Sequence, residues 1–387
     1  MGGLQIYNWP VMRRIVYFVG AGLPKALERP GNRIPLMADF LATMADHLDN
    51  HVVQVGLADF QRQQALPWPA GQPIRSFIDK VTGRSTLDPA EVAEVARQLK
   101  RLPEENIEIL LSGSPELKTR VSFIVNAIFC DVGFQVDWAC LDKFLKKVLQ
   151  TREAKHTFVS FNYDLLLDRR VQEVAPVVGL SWNLEDGYGF QARLSLGPQD
   201  SFATDSVNQE SAGLEEVGEE RDTVTVEDEA QITILKPHGS LNWVVPFLGN
   251  YEFEDNSPNV ICAPDGLVAY LPEFDFSFLN GIFMIPPMQT KSSSLTFVRR
   301  ILDLERAAIR DADEIYVLGW SMPRTDTDQV CLISDTVRQR WKPLRRLTVV
   351  NYGAQVEYLG RIATAFGFAA SEMQVFNAGF CDSIEIL

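Results

Sequence analysis

Units of strand, turn and helix recur along this chain, and they constrain its fold more than any other feature. Apolar runs of strand length occupy residues 14–19, 157–161, 232–235, 314–318 and 347–350. Helical patterns occupy residues 165–174, 295–312, 326–340 and 354–366. Because parallel strands joined through helices carry those helices on both faces of the sheet, the pattern predicts an α/β, Rossmann-like doubly wound parallel sheet.

Two long stretches interrupt these units. Residues 48–150 show amphipathic helical patterns and loops but no convincing strand, which predicts a helical module inserted into the core. Residues 200–229 hold eleven acidic residues and one basic residue without apolar periodicity, so we expect a mobile acidic insertion over 198–231. The chain is therefore expected to be one domain, 1–387, that contains both segments. A polar loop is expected over 23–33 and an irregular region over 244–290.

Composition excludes some classes of protein and leaves others open. No apolar run approaches the ~18 residues that span a membrane, and the N-terminus is not a signal sequence, so a soluble cytoplasmic protein without a membrane partner is expected. The five cysteines contain no Cys-x-x-Cys pair, which supports neither a disulfide framework nor a zinc ribbon. The net charge of −15 belongs mostly to the acidic segment, and it therefore leaves direct nucleic-acid binding open.

Polar and glycine residues cluster after the predicted strands, at the C-terminal ends where open parallel sheets bind their ligands. The turns are Gly20-Ala21-Gly22, Asn162-Tyr163-Asp164, His238-Gly239-Ser240, Gly319-Trp320-Ser321 and Asn351. A glycine-rich turn allows a phosphate to approach backbone amides closely. Each turn also has a structural alternative: the glycines could serve tight turns, and Asn162 and Asp164 could cap the following helix.

His238 is the most informative of these residues. It is one of four histidines and follows a predicted buried strand, and imidazole titrates near neutral pH, which suits a general base. The alternative is a structural histidine that only forms hydrogen bonds. A hydride-transfer dehydrogenase is disfavoured, because Lys25 stands where the dinucleotide fingerprint requires a third glycine.

Taken in order, the five turns resemble the NAD-binding domain of the sirtuin family over most of the chain. The resemblance implies cofactor-binding roles for Gly20, Ala21, Gly22, Ser240, Gly319, Ser321 and Asn351. In that family the glycine turn holds the dinucleotide phosphates, and the last three positions hold the adenosine half. The resemblance also implies catalytic roles: Asn162 and Asp164 contact the nicotinamide and its ribose, and His238 is the general base at that ribose.

Within the family, the chain is most similar to the sirtuin-like NAD hydrolases of bacterial antiphage defence. Protein-deacylating sirtuins carry two cysteine pairs for zinc between the His-Gly-Ser and Gly-x-Ser turns, whereas this chain has only Cys262 there. The implied activity is zinc-free hydrolysis of NAD to nicotinamide and ADP-ribose, which depletes NAD in defence. The alternatives are a non-catalytic NAD- or ADP-ribose-binding subunit and a zinc-free protein deacylase.

The same resemblance bears on partners. An unregulated NAD hydrolase would deplete its own host, so the activity is expected to be gated. The resemblance implies gating through self-assembly as a homo-oligomer or through a partner protein. A hexameric DNA-translocating ATPase of the HerA type is one such partner.

Overall fold

The computed structural model describes residues 12–30, 34, 36, 129, 136–151, 153–195, 231–244, 258–263, 265–269, 282–285, 295–323 and 326–384. Most of the predicted helical module and nearly all of the predicted acidic insertion lie outside these residues. The strands are β1 Arg13–Val19, β2 Ala154–Ser160, β3 Arg193–Ser195, β4 Ile232–Leu235, β5 Gly239–Val244, β6 Asn259–Ile261, β7 Ile282–Met284, β8 Glu314–Leu318, β9 Arg346–Val350 and β10 Gln374–Phe376. The helices are α1 Gly22–Ala26, α2 Trp138–Leu149, α3 Leu166–Val174, α4 Thr296–Asp311, α5 Thr327–Arg338, α6 Val356–Ala365 and α7 Phe380–Ser383.

The main sheet has the strand order of a doubly wound fold. Within the described residues, six parallel strands lie in the order β10-β9-β8-β1-β2-β4. The chain begins with β1 in the middle, adds β2 and β4 on one side, and then adds β8, β9 and β10 on the other. Numbered along the chain, this is the order 3-2-1-4-5-6 of dinucleotide-binding sheets. The predicted α/β, Rossmann-like fold is confirmed.

Burial on both faces explains why β1 is continuously apolar from Ile15 to Val19. Tyr17 packs against Phe144 of α2, whereas Phe18 packs against Phe366 just after α6. Because successive strand residues point to opposite faces, α2 and α6 lie on opposite sides of the sheet. Helices α4, α5 and α6 pack side by side in one layer, and α2 packs against α3 in the other.

A second sheet is formed by strands that lie before and after the His238 turn in the sequence, at positions where no strand was predicted. The described strands β3, β6, β5 and β7 form it in that order. Strands β6 and β7 lie inside 244–290, so the prediction of an irregular region there was wrong. Each of these two strands has only three residues, which is too short to show the alternation that identifies a strand in a sequence.

The four predicted helices correspond to α3, α4, α5 and α6, with ends that differ by at most two residues. The predicted polar loop over 23–33 was wrong in its first part, because α1 begins at Gly22, directly after β1. In the part of the chain that the structure describes, no helix is both long and apolar enough to cross a membrane.

A disulfide joins Cys140 of α2 to Cys381 of α7, and the Cα atoms of these residues lie 5.4 Å apart. The cysteine spacing supported no disulfide framework, so this bond corrects the sequence-based expectation. The two residues are separated by 241 positions, and only the folded chain brings them together. Helix α7 also packs against α1, so the bond fixes the end of the described chain to the region that follows β1.

Candidate active site

The switch point of the sheet lies between β1 and β8, and the ligand crevice of a doubly wound fold forms outside the strand ends at such a point. The turns that follow these two strands touch, because the Gly22 N–H donates to the Gly319 carbonyl at 2.9 Å. A methyl group at Gly22 would lie 2.7 Å from Cα of Gly319, which itself has a φ of 63°. Both positions therefore require glycine for the turns to meet.

The backbone amides of the Gly20 turn are largely used within the protein. The Gly20 N–H donates to the Leu318 carbonyl at 3.0 Å, and the Leu23 N–H donates to the Gly20 carbonyl at 3.0 Å. Together with the bond from Gly22, these contacts support the tight-turn alternative for the two glycines. Phosphate binding by this turn stays a prediction, and Ala21 and Gly22 are its partly exposed members.

Asn162 lies against the Gly20 turn. Its Nδ2 donates to the Gly20 carbonyl at 3.1 Å, and its backbone N–H donates to Oγ of Ser160 at 3.3 Å. Because the amide nitrogen is held by Gly20, the side-chain oxygen is the acceptor that Asn162 can offer to a ligand. The residue is half-buried, so part of it is accessible from the surface.

Asp164 acts as a helix cap. Its Oδ1 accepts a hydrogen bond from the Leu166 N–H at 3.0 Å, at the start of α3, and the side chain is buried. Burial raises the pKa of Asp164 to about 6, although Lys236 and the Leu166 amide act in the opposite direction. The geometry therefore supports the capping alternative, and a contact between Asp164 and nicotinamide stays a prediction.

Lys236 was missed as a site residue, although it stands two positions before His238. It is fully buried, and its Nζ donates to the Asp164 carbonyl at 2.6 Å and lies 3.2 Å from Oδ2 of Asp168. Tyr188 donates its hydroxyl to Oδ1 of the same carboxylate at 2.7 Å. The ion pair therefore ties the end of β4 to α3. The sequence offered little signal, because lysines are rarely fully buried.

The His238 turn packs directly onto the Asn162 turn. The Leu241 N–H donates to the Tyr163 carbonyl at 3.1 Å, and the ring centroids of Phe161 and His238 lie 5.3 Å apart. Two predicted catalytic residues, His238 and Asn162, are therefore carried by turns that contact each other. The fold brings these turns together although the whole acidic segment separates them in the sequence.

The backbone at Gly239 explains why a glycine follows the histidine. Gly239 has a φ of 88°, and a side chain there would lie 2.2 Å from the Phe283 carbonyl oxygen. Only glycine fits this combination of a left-handed backbone and a close neighbouring strand. The His238 carbonyl accepts the Ile285 N–H at 2.8 Å, so the second sheet supports the turn from one side.

A buried carboxylate faces His238 from the start of α5. Oδ1 of Asp326 lies 3.9 Å from Nε2 of His238, and Oδ2 accepts from Nε1 of Trp320 at 3.0 Å. His238 is 6% exposed, Asp326 4% and Trp320 2%. The sequence indicated Asp326 only as the start of a helix, because its pairing with the histidine depends on tertiary placement.

The other predicted cofactor-binding residues differ in accessibility. Ser240 is fully buried and donates its hydroxyl to Oδ1 of Asn242 at 2.8 Å, so its side chain is used internally. Ser321 is exposed at the end of β8. Asn351 is half-buried at the end of β9, where its N–H donates to the Phe376 carbonyl at 3.2 Å. Ser321 and Asn351 are therefore the members of this set that a ligand could reach.

A cleft of about 360 Å³ borders His238 between α4 and α5. Arg306 of α4 and Asp328 and Asp335 of α5 give its walls both signs of charge. Neither Asn162 nor the Gly20 turn is among the described residues that line it. The cleft therefore reaches His238 from the helical layer, away from the β1–β8 turns.

No protein-family model and no curated protein matches the chain. The resemblance to sirtuin-like proteins therefore depends on the ordered motifs alone. In the described ranges, no group of three or more His, Cys, Asp or Glu side chains is arranged to hold a metal ion.

Proposed function

We propose that this protein is an NAD+ hydrolase that cleaves the bond between the nicotinamide nitrogen and C1′ of the ribose. The order of the strands creates a switch point between β1 and β8, which is the position where doubly wound sheets bind dinucleotides. The ordered turns that resemble sirtuin-like NAD hydrolases support the same activity. The products are nicotinamide and ADP-ribose.

One observation carries the proposal: the turns that hold His238 and Asn162 pack against each other next to the end of β1. Asn162 reaches the Gly20 carbonyl, and the His238 turn is bonded to the Asn162 turn through Leu241 and Tyr163. An imidazole and an amide oxygen beside a dinucleotide crevice are suited to a reaction in which water attacks a sugar carbon.

Each group has a defined task in the proposed reaction. As the C1′–N bond breaks, its electron pair leaves with nicotinamide, and positive charge develops on the ribose. Water attacks C1′ and gives a proton to His238, while the Asn162 oxygen orients the water or a ribose hydroxyl. Nicotinamide leaves as a neutral molecule, and His238 later releases the proton to solvent.

The test is release of nicotinamide from NAD+ by the purified protein, followed by chromatography. We expect His238→Ala and Asn162→Ala each to lower turnover by about 100-fold or more, the range in which general base catalysis contributes. Asn183→Ala is the matched control, because it removes an exposed turn amide outside the site. Wild-type turnover in a correctly folded His238→Ala variant would exclude the assignment.

Two other results would favour the alternative functions. Binding of NAD+ or ADP-ribose without nicotinamide release, in every condition tested, would favour a non-catalytic binding subunit. Formation of acyl-ADP-ribose from an acyl-lysine peptide would favour a zinc-free deacylase.

Gating in defence against phage belongs to the same proposal. We expect full activity only in a homo-oligomer or with a partner, for which a hexameric HerA-type ATPase is the first candidate. Native mass measurement and nicotinamide release, each with and without the copurified partner, test this. A stable monomer with constitutive turnover would contradict gating by assembly.

A further inference from the structure

The side chain of Asp326 has an unusual orientation for an aspartate at the start of a helix. It occupies the N-cap of α5, where an aspartate normally accepts a hydrogen bond from an amide of the first turn, yet its side chain makes no capping bond. Its carboxylate is directed to Nε1 of Trp320 and towards the ring of His238. The orientation of Asp326 therefore serves the site and not the helix.

The buried surroundings strengthen the electrostatic interaction between the Asp326 carboxylate and His238. The ring of Phe161 lies 5.3 Å from His238 and 4.6 Å from Trp320, measured between centroids, and all three residues are buried. Attraction between opposite charges is stronger where water is excluded. A proton that arrives on His238 therefore creates a positive charge close to a fixed negative one.

We propose that Asp326 is a positioning residue that orients His238 and stabilises its protonated form. The proposal rests on the proposed NAD+ hydrolase function. In the reaction, the proton of the attacking water passes to His238 as the O–C1′ bond forms, and the C1′–N electron pair leaves with nicotinamide. Asp326 takes no proton, and its charge balances the imidazolium.

Other titratable groups also surround His238. Tyr163 donates its hydroxyl to the Ile285 carbonyl, and burial together with Asp326 raises the pKa of Tyr163, so it stays neutral. Among the residues that the structure describes, the titratable side chains that border the α4–α5 cleft with His238 are Arg306, Asp328, Cys331 and Asp335. All of them remain in an Asp326 variant, so a comparison with the wild type isolates the effect of Asp326.

The first experiment compares the pH profiles of kcat/KM for NAD+ cleavage in the wild type and in Asp326→Asn. We expect the plateau of kcat/KM to fall by about 10- to 100-fold, by analogy with the loss found when the hydrogen-bond partner of a metal-binding histidine is replaced. The acid limb should move to lower pH, because loss of the negative charge weakens proton binding by His238. Glu357→Gln, which removes an exposed carboxylate from the first turn of α6, is expected to change neither quantity.

The second experiment does not require turnover. His238 is titrated in the full chain by NMR, with its signal among the four histidines assigned from His238→Gln. The titration midpoint should be lower by about one pH unit in Asp326→Asn and close to wild type in Asp326→Glu, which keeps the charge. An unchanged midpoint in Asp326→Asn would overturn the proposal. Absence of nicotinamide release by wild-type protein, both with and without its copurified partner, would instead reject the hydrolase function, while the midpoint would still decide the pairing.

Discussion

The Lys236–Asp168 ion pair is fully buried, and it connects the two turns on which the proposed chemistry depends. Lys236 stands two residues before His238, and its Nζ also bonds the carbonyl of Asp164 in the neighbouring turn. Burying two charges costs several kcal/mol of desolvation, which the pair offsets only while both partners and their hydrogen bonds are present. The pair therefore fixes the relative position of the turns, but loss of either partner would leave a buried charge without compensation.

Removal of one partner of the ion pair should therefore destabilise the folded protein. Lys236→Met keeps a long apolar side chain but leaves the Asp168 carboxylate buried, with the Tyr188 hydroxyl as its remaining side-chain donor among the described residues. We expect the free energy of unfolding to fall by about 3–5 kcal/mol. Urea denaturation at neutral pH measures the change.

A second variant provides the control for this residue-scale prediction. Lys236→Met combined with Asp168→Asn removes both charges and should recover part of the lost stability, because an amide is less costly to bury than a carboxylate. If the single variant lost less than about 0.5 kcal/mol, the scale of an ordinary surface substitution, the buried pair would not be important for stability.

At the scale of elements, the contact between α4 and α5 contains a buried acid. Glu305 of α4 accepts a hydrogen bond from the side-chain amide of Gln329 on α5. Its other oxygen, Oε2, is buried without a hydrogen-bond partner among the described residues. Burial raises the pKa of Glu305 to about 8, an effect that Arg306 and Gln329 reduce only in part. The neutral acid is therefore the form that fits between these helices at pH 7.

This burial makes the α4–α5 contact sensitive to pH. The unfolded chain loses the Glu305 proton above its ordinary pKa of 4.5, whereas the folded protein keeps it until about 8. Between these values the folded state binds more protons, so the contribution of Glu305 to the free energy of unfolding falls as the pH rises. One such group changes that free energy by at most about 1.4 kcal/mol per pH unit.

The prediction is tested with Glu305→Gln, which cannot ionise. Variant and wild type should be similar in stability below pH 4.5, and the variant should become the more stable of the two as the pH approaches 8. Urea denaturation across this window gives the difference in slope. Asp303→Asn, an exposed position on the same helix, should keep the wild-type slope. Equal slopes for wild type and Glu305→Gln would show that Glu305 does not titrate as described.

At the scale of the whole molecule, five of the six described strands of the main sheet could be predicted because they are buried on both faces, whereas the partly exposed edge strand β10 was not predicted. Strands buried on both faces are continuous apolar runs, and the turn residues after them, such as Gly20 and Asn351, mark where each one ends. The second sheet could not be predicted, because strands as short as Asn259–Ile261 carry no recognisable period. Its short strands are defined by their pairing with one another, which is a tertiary contact.

The candidate site was predictable only in part, because some of its residues, like the strands of the second sheet, are defined by tertiary contacts. His238 and Asn162 could be found because residues after strand ends meet at one edge of a parallel sheet. Asp326 and Lys236 could not, because their roles come from contacts between elements that are distant in the sequence. Asp164 shows the converse: it lies at the expected strand end, but its carboxylate is occupied by the start of α3.

The disulfide between Cys140 and Cys381 acts on the whole molecule, because it closes a loop across a sequence separation of 241 residues. A crosslink over a long loop restricts the unfolded chain, and a disulfide typically contributes about 2–4 kcal/mol to stability. It also holds α7 against α2 and, through α7, close to α1 at the end of β1. Its loss should therefore lower global stability and loosen the C-terminal helix.

We expect Cys140→Ser to lower the free energy of unfolding by about 2–4 kcal/mol under oxidising conditions. The wild type should lose a similar amount when a reductant is added, whereas the variant should not respond. Cys331→Ser, which removes an exposed free thiol, is the control and should behave as the wild type. Thiol titration of the denatured wild type should find three of the five cysteines free before reduction and all five afterwards. Five free thiols in protein that was never reduced, together with unfolding that is insensitive to reductant, would show that the bond does not form.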